Sequence, residues 1–225
     1  MSLGKPRPLE VFLVGGCRRS SGSCQHGEVE PIELDTALET YRFSERHRRL
    51  VQSPIADVWP AALDVTPREV RAFGPLILLR GLPKMFRRRP PESTRDVGGS
   101  LVDLFIATGF VDLRDDTVVH RGRGMVLLGA AGRFWSPADN APRRFDDAAA
   151  FLACDEPGLA KVVVSLEAYD RGDDTELVTE TRIACTDQDA ERRFGRYWAL
   201  IRMPSGIIRH SWLAAIDRRS RSGGE

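Results

Sequence analysis

The feature that most limits what this chain can become is a single stripe near its C-terminus. Phe194, Trp198, Ile201, Ser205, Ile208, Trp212 and Ala215 recur at alternating steps of four and three, the spacing that places residues on one face of an α-helix. The stripe passes Pro204 and Gly206 without losing phase, which predicts one long helix, kinked where proline removes a backbone N–H but not ended there. Directly before it, residues 159–169 and 176–186 are β-type runs joined across Asp170-Arg171-Gly172-Asp173-Asp174, a hairpin pattern. Thr186 and Asp189 frame the start of the helix. A strand pair with one closing helix predicts a curved sheet gripping that helix around an apolar cavity.

Upstream, residues 1–31 are rich in Gly, Ser and Arg and lack either structural period, so they read as a flexible extension. A short helix is expected over 34–39 and an edge strand over 41–52. Ser53-Pro54 supplies an N-cap and a first-turn proline, and Ile55, Val58, Trp59, Ala62 and Leu63 come after it at helical spacing. Thr66-Pro67-Arg68-Glu69 repeats the start signal as a capping box, Gly74-Pro75 interrupts this second helical stretch, and 76–79 is a further short apolar run. Residues 84–95, with Arg87-Arg88-Arg89-Pro90-Pro91, read as an exposed loop, and 100–108 as a helix ended by Gly109. Beyond it the period becomes strand-like over 110–113, 117–120 and 124–135, the first two joined by Asp115-Asp116. A short helix is expected near 146–152, and the domain over residues 32–220, with a disordered tail over 221–225.

Composition removes several classes of function. Thirty-three basic residues balance 32 acidic ones for a net charge of +1, so no overall field favours nucleic acid or an anionic membrane. No run approaches the ~20 apolar residues of a membrane span, and integral membrane association is not expected. Val14-Gly15-Gly16-Cys17 superficially matches a lipoprotein cleavage box, but the apolar run before it is shorter than a signal core and Glu10 abuts it. Cys17, Cys24, Cys154 and Cys185 contain no CxxC pair, which fits a reduced, cytoplasmic setting. His47, His120 and His210 show neither HxxxH nor HExxH spacing, and Cys17, Cys24 and His26 fall short of a four-ligand zinc site. No metal and no cofactor is expected. GxSxG, Walker and dinucleotide motifs are missing, and Gly122-x-Gly124 lacks its third glycine.

Phe43-Ser44-Glu45-Arg46-His47, Ser53-Pro54-Ile55-Ala56-Asp57-Val58-Trp59, Gly132-Arg133-Phe134-Trp135, Glu156-Pro157-Gly158-Leu159-Ala160-Lys161 and Thr179-Glu180-Thr181-Arg182 resemble phrases of bacterial proteins of the START-like, or SRPBCC, superfamily, including its polyketide cyclase/dehydrase-like subgroup. The resemblance covers roughly residues 33–219. It implies an α+β helix-grip fold, a curved antiparallel sheet wrapped around a long C-terminal helix. That superfamily has no universal catalytic motif and its members hold or transform different apolar molecules, so the fold does not name the function.

If the helical stripe faces the concave side of the sheet, Trp198, Ile201 and Trp212 wall a cavity with alternate residues of the strands, among them Arg133 and Trp135. The competing reading is that these aromatics fill the core themselves. Leu177, Thr179, Thr181, Ile183 and Cys185 share the strand face that looks more core-like, which adds Thr179 and Thr181 to the candidate pocket. Arg133, Glu180 and Arg182 are charged residues in predicted strands. Each either reaches a ligand or pairs across strands on a solvated face, as Glu180 would with an arginine of the neighbouring strand. The run 84–89 could touch phosphate or lipid headgroups, but reads first as a solvated loop. The function expected is binding or carriage of a small apolar or amphipathic molecule. The alternatives are a cyclase or dehydratase-type enzyme using a histidine as acid or base, and an interaction module with a filled core.

Overall fold

The hydrophobic runs and turn residues of the C-terminal third do build a hairpin that leads into one helix. A computed structural model describes residues 32–71, 99–114 and 118–222. The readings made for 1–31, 72–98, 115–117 and 223–225 lie outside the described residues. The helices are α1 (Leu34–Ala37), α2 (Ile55–Asp64), α3 (Leu101–Ala107), α4 (Ala148–Ala153) and α5 (Gln188–Ser222). The strands are β1 (Phe43–Val51), β2 (Val111–Asp112), β3 (Arg123–Gly132), β4 (Ala160–Arg171) and β5 (Asp174–Cys185). All neighbours pair antiparallel in the order β1-β5-β4-β3-β2. The molecule is thus α+β, a curved five-stranded sheet with a long C-terminal helix packed on it.

Local chemistry explains where the elements begin. Asp187 ends the β5 connection and accepts the Ala190 backbone N–H at 2.7 Å, so its carboxylate caps α5. Backbone N–H groups of Ala190 and Gly158 both donate to Asp187 and hold its carboxyl below the usual carboxylate range. Ser100 and Asp103 form the reciprocal capping box of α3, and Asp147 caps α4. Four expectations need correction. Pro54, not Ser53, is the residue before α2, because the Ser53 hydroxyl turns back to the Gln52 carbonyl. Residues 118–119 are not a strand, and His120 makes only an isolated bridge to Arg123; β2 pairs instead with β3. The hairpin turn is tighter than five residues, with strands running to Arg171 and from Asp174. β3 ends at Gly132, so Arg133 and Trp135 lie in the turn after it and not in a strand.

The register sorts side chains onto two faces. Thr175, Leu177, Thr179, Thr181 and Ile183 of β5 lie beside Val51, Arg49, His47, Glu45 and Phe43 of β1. This face meets α2 and α5. Val58, Trp59, Ala62, Val126, Leu128, Leu166, Leu177, Trp212, Leu213 and Ile216 join there in one buried cluster. Gly124 belongs to this packing: a Cβ there would sit 2.5 Å from the Trp59 ring, so only glycine lets the ring lie on β3. Burying a ring the size of Trp212 removes ~150–250 Å² from water, worth several kcal/mol at ~25 cal/mol per Å².

The opposite face is also covered. Leu34, Ala37, Met125, Leu127, Phe151 and Val163 form a second cluster under α1 and α4. Beside it runs an ionic network in which Glu167 accepts from Arg123 at 2.8 Å and from Ser165 at 3.1 Å and contacts the Tyr169 hydroxyl. Burial, and then that carboxylate, push the Tyr169 phenol up to about 12. Glu180 pairs with Arg46, its cross-strand neighbour, at 3.7 Å and with Arg182 at 2.7 Å. The pairing matches the expectation, but the face is not solvated: Glu180 is buried and Asp35 of α1 reaches Arg182 at 2.5 Å.

Candidate functional site

Charged residues on an edge strand ordinarily point to water, and β1 begins Phe43-Ser44-Glu45-Arg46-His47. Among the described strands β1 pairs with β5, and alternate residues of β1 turn under α5, so that Glu45 and His47 are carried there beside Thr181 and Thr179. From α5, Gly206, Arg209 and His210 come down onto these four. The result is a polar patch in the seam between sheet and helix, at its open edge.

Arg209 is the anchor of the patch. It is buried, its Nη1 donates to the Thr179 hydroxyl at 2.9 Å, and its Nη2 donates to the Thr181 hydroxyl at 2.6 Å. Thr179 donates its own proton to the Ser165 carbonyl at 2.8 Å, which leaves its lone pairs for the guanidinium. The cation also lies 5.7 Å from the centre of the Trp212 ring, within cation–π range. Thr179 and Thr181, expected to line a pocket, therefore face α5 with their hydroxyls engaged by Arg209.

Beside them, Glu45 Oε1 lies 3.2 Å from Nε2 of His47, an ion-pair distance without the alignment of a hydrogen bond. His47 Nδ1 lies 3.1 Å from Nε2 of His210, with the rings edge to face. Glu45 and His47 are 13 and 14% exposed, whereas His210 is open to solvent, so the array runs from a dry end to a wet one. Burial pushes the His47 pKa down; Glu45 opposes that, and the charges of His210 and Arg209 add to it. The net effect favours neutral imidazole. Gly206 makes room for this arrangement, since a Cβ there would meet Glu45 Oε1 at 2.8 Å.

The aromatic residues sit at either side of the polar patch. Phe194 stacks on Trp198 at 6.1 Å and meets Phe43 at 5.2 Å, Tyr197 at 5.8 Å and Trp135 at 6.2 Å. These rings cover one another and close that end of the seam. Ile201 is buried on the same helix. Trp212, on the far side, is buried with its indole N–H unpartnered among the described residues. Arg133 is separate from all of this: its Nε donates to the Gly158 carbonyl at 3.3 Å and its guanidinium is half-exposed near Asp139.

Sequence reasoning picked out Thr179, Thr181 and Trp212 but missed Glu45, Gly206 and Arg209, and it set His47 and His210 aside as isolated histidines. The usable signal was the Glu45-x-His47 spacing, which puts both side chains on one strand face. Among the described residues, no group of three His, Cys, Asp or Glu side chains is placed to hold a metal ion, and no helix is long and apolar enough to cross a membrane. Burial pushes the Cys185 thiol up to about 12, which leaves it a poor nucleophile at neutral pH. No protein-family model matches the chain, nor does any curated protein or solved structure.

Proposed function

We propose that this chain is a START-like helix-grip module that binds a small amphipathic molecule between the sheet and α5. The observation that carries the reading is a polar patch flanked by apolar side chains. Arg209, Thr179 and Thr181 lie in a seam whose two sides are rings and aliphatic side chains. Buried polar atoms are nearly always bonded, yet the Trp212 indole N–H and Glu45 Oε2 have no hydrogen-bond partner among the described residues. A ligand with an apolar body and a polar head would satisfy both features. The mutual packing of Phe43, Phe194, Trp135 and Trp198 favours a short ligand, since it occupies one end of the seam.

Native mass spectrometry of the purified chain, with anilinonaphthalene sulfonate as a probe of aromatic body and anionic head, tests the proposal. A stoichiometric adduct, or saturable dye binding with one site per chain, is the expected result. A clean mass together with no dye binding overturns it in favour of a filled-core interaction module. The second reading, an enzyme of the cyclase or dehydratase type, is favoured by one observation: a neutral His47 held between a carboxylate and a second imidazole, the arrangement of groups that move protons.

A further inference from the structure

The two edges of the described sheet are closed in different ways. β2 is two residues long, whereas β1 runs for nine, and its register with β5 steps from Phe43↔Ile183 to Val51↔Thr175 without an inserted residue. The strand contains neither proline nor glycine, so it lacks the breaks and bulges that blunt many edges. Its outward backbone N–H and C=O groups make no hydrogen bond among the described residues. An edge of this length is a template on which another extended chain adds as a further strand.

Charge decides which chain fits. Ser44, Arg46 and Arg48 alternate on the β1 face turned away from α5, and the side chains of Arg46 and Arg48 are 60 and 77% exposed. Their nearest carboxylates, Glu180 at 3.7 Å and Glu176 at 4.0 Å, lie beyond hydrogen-bond reach. Each of those acids is held more closely by another arginine, Glu180 by Arg182 at 2.7 Å and Glu176 by Arg171 at 2.6 Å. Arg46 and Arg48 are therefore cations in excess of the acids beside them, and their guanidinium forks stand in solvent along the open edge. Neighbouring strands set facing side chains about 4.5–5.5 Å apart, so a strand laid along β1 places alternate residues against both arginines. A second copy of β1, paired antiparallel, would bring arginine against arginine and be repelled. A strand with Asp or Glu at alternate positions would be held.

We propose that β1 is a docking edge for an extended acidic segment of a partner protein, which adds to the sheet as a further strand with carboxylates at alternate positions on Arg46 and Arg48. Backbone hydrogen bonds supply the part of the affinity that is indifferent to sequence, and the carboxylate–guanidinium pairs select the acidic segment. Salt weakens the second contribution and leaves the first. The edge lies outside the seam between sheet and α5, so this inference fails or stands independently of ligand binding there.

A fluorescently labelled peptide of alternating Glu and Thr, as long as β1, tests the proposal on the full chain. Saturable binding is expected, with hydrogen exchange slowed in β1 and unchanged in β2. Affinity should fall about tenfold in Arg48→Gln, and further in the double variant with Arg46→Gln. Both side chains are exposed and Arg182 stays on Glu180, so these variants keep the fold, which circular dichroism checks. The same peptide methylated on its backbone nitrogens keeps its charge and loses its donors; it should bind about tenfold more weakly, a loss that contact between charges alone would not show. A peptide of alternating Lys and Thr should not bind. No binding of the Glu and Thr peptide overturns the proposal, and so does equal affinity for the methylated peptide or for the double variant. Self-association of the native chain through β1, seen by analytical ultracentrifugation with exchange slowed there in the absence of peptide, overturns it in favour of a second copy on that edge.

Discussion

Single atoms decide several features of this molecule, and two glycines show how differently. At Gly124 the obstacle to a side chain is the Trp59 ring, fixed between β3 and α2, at 2.5 Å. Gly124→Ala is therefore an overpacking change and should cost about 1–3 kcal/mol, read as a lowered midpoint in urea unfolding. At Gly206 the obstacle is the end of the Glu45 side chain at 2.8 Å, which can rotate away. Gly206→Ala also gains about 1 kcal/mol of helix propensity. Its global stability should change little, while the Glu45–His47 contact is lost; histidine nitrogen shifts in NMR would show His47 no longer held by the carboxylate. An unchanged His47 spectrum in that variant would show that Glu45 does not set its state. Thr179 is less forgiving. Its hydroxyl serves Arg209 and Ser165 together, so Thr179→Val leaves a buried cation one acceptor short and should cost about 1–3 kcal/mol, again measurable by urea.

Among the elements, α5 carries the fold and contains a local conflict of its own. It runs unbroken for 35 residues with Pro204 inside it, although proline removes a helical hydrogen bond and crowds the preceding turn. The apolar stripe continues on both sides because Phe194 and Ile201 pack before the proline and Trp212, Leu213 and Ile216 after it. Tertiary packing outweighs the local preference, in keeping with the weakness of propensity against burial. Pro204→Ala should stabilise the chain by about 1–3 kcal/mol, which for a chain of this size raises Tm by roughly 2–4 °C per kcal/mol. A fall in Tm would mean that the proline shapes α5 for its fit to the sheet. The resulting register matters for the site, because Gly206, Arg209 and His210 all lie within two turns of Pro204.

For the whole molecule, burial of polar groups on both sheet faces sets the pH range of stability. His47 has a depressed pKa when folded. Below its ordinary value of 6.5 the unfolded chain takes up a proton that the folded chain resists, so stability falls as pH drops below about 6.5 and levels off beneath the folded pKa. Tyr169 works at the other limit. Its phenol stays protonated to about 12 when folded but ionises near 10 when unfolded, so stability is lost as pH rises from about 10 to about 12. Unfolding free energies across pH should show both limbs. Cys185, whose thiol is likewise held up to about 12 when folded, adds to the alkaline limb, so Tyr169→Phe should reduce that limb and Tyr169→Phe with Cys185→Ala should flatten it, while His47→Gln should flatten the acid one; a native-like limb in these variants would assign it to another group.

How much of this was legible in the sequence depends on the range of the forces involved. The hairpin, α2, α3 and the stripe of α5 were readable because period, caps and turn residues are written within a few positions of one another: Asp187 caps α5 and Ser100 caps α3 through atoms three residues away. Edge position for β1 was readable too, from its weak alternation. What remained hidden was every relation across long separations. Nothing near residue 45 says that Gly206 will leave room for its carboxylate, nor does anything near His47 say that it will meet His210, 163 residues on. Burial of Glu180 and the pairing of half-buried Arg182 with Asp35 of α1 were hidden for the same reason, since a charged strand residue looks solvated until another element supplies its partner. Local hydrogen bonding and hydrophobic period determined which elements form. The site depended on which faces those elements bury against each other, and burial is a property of the assembled chain.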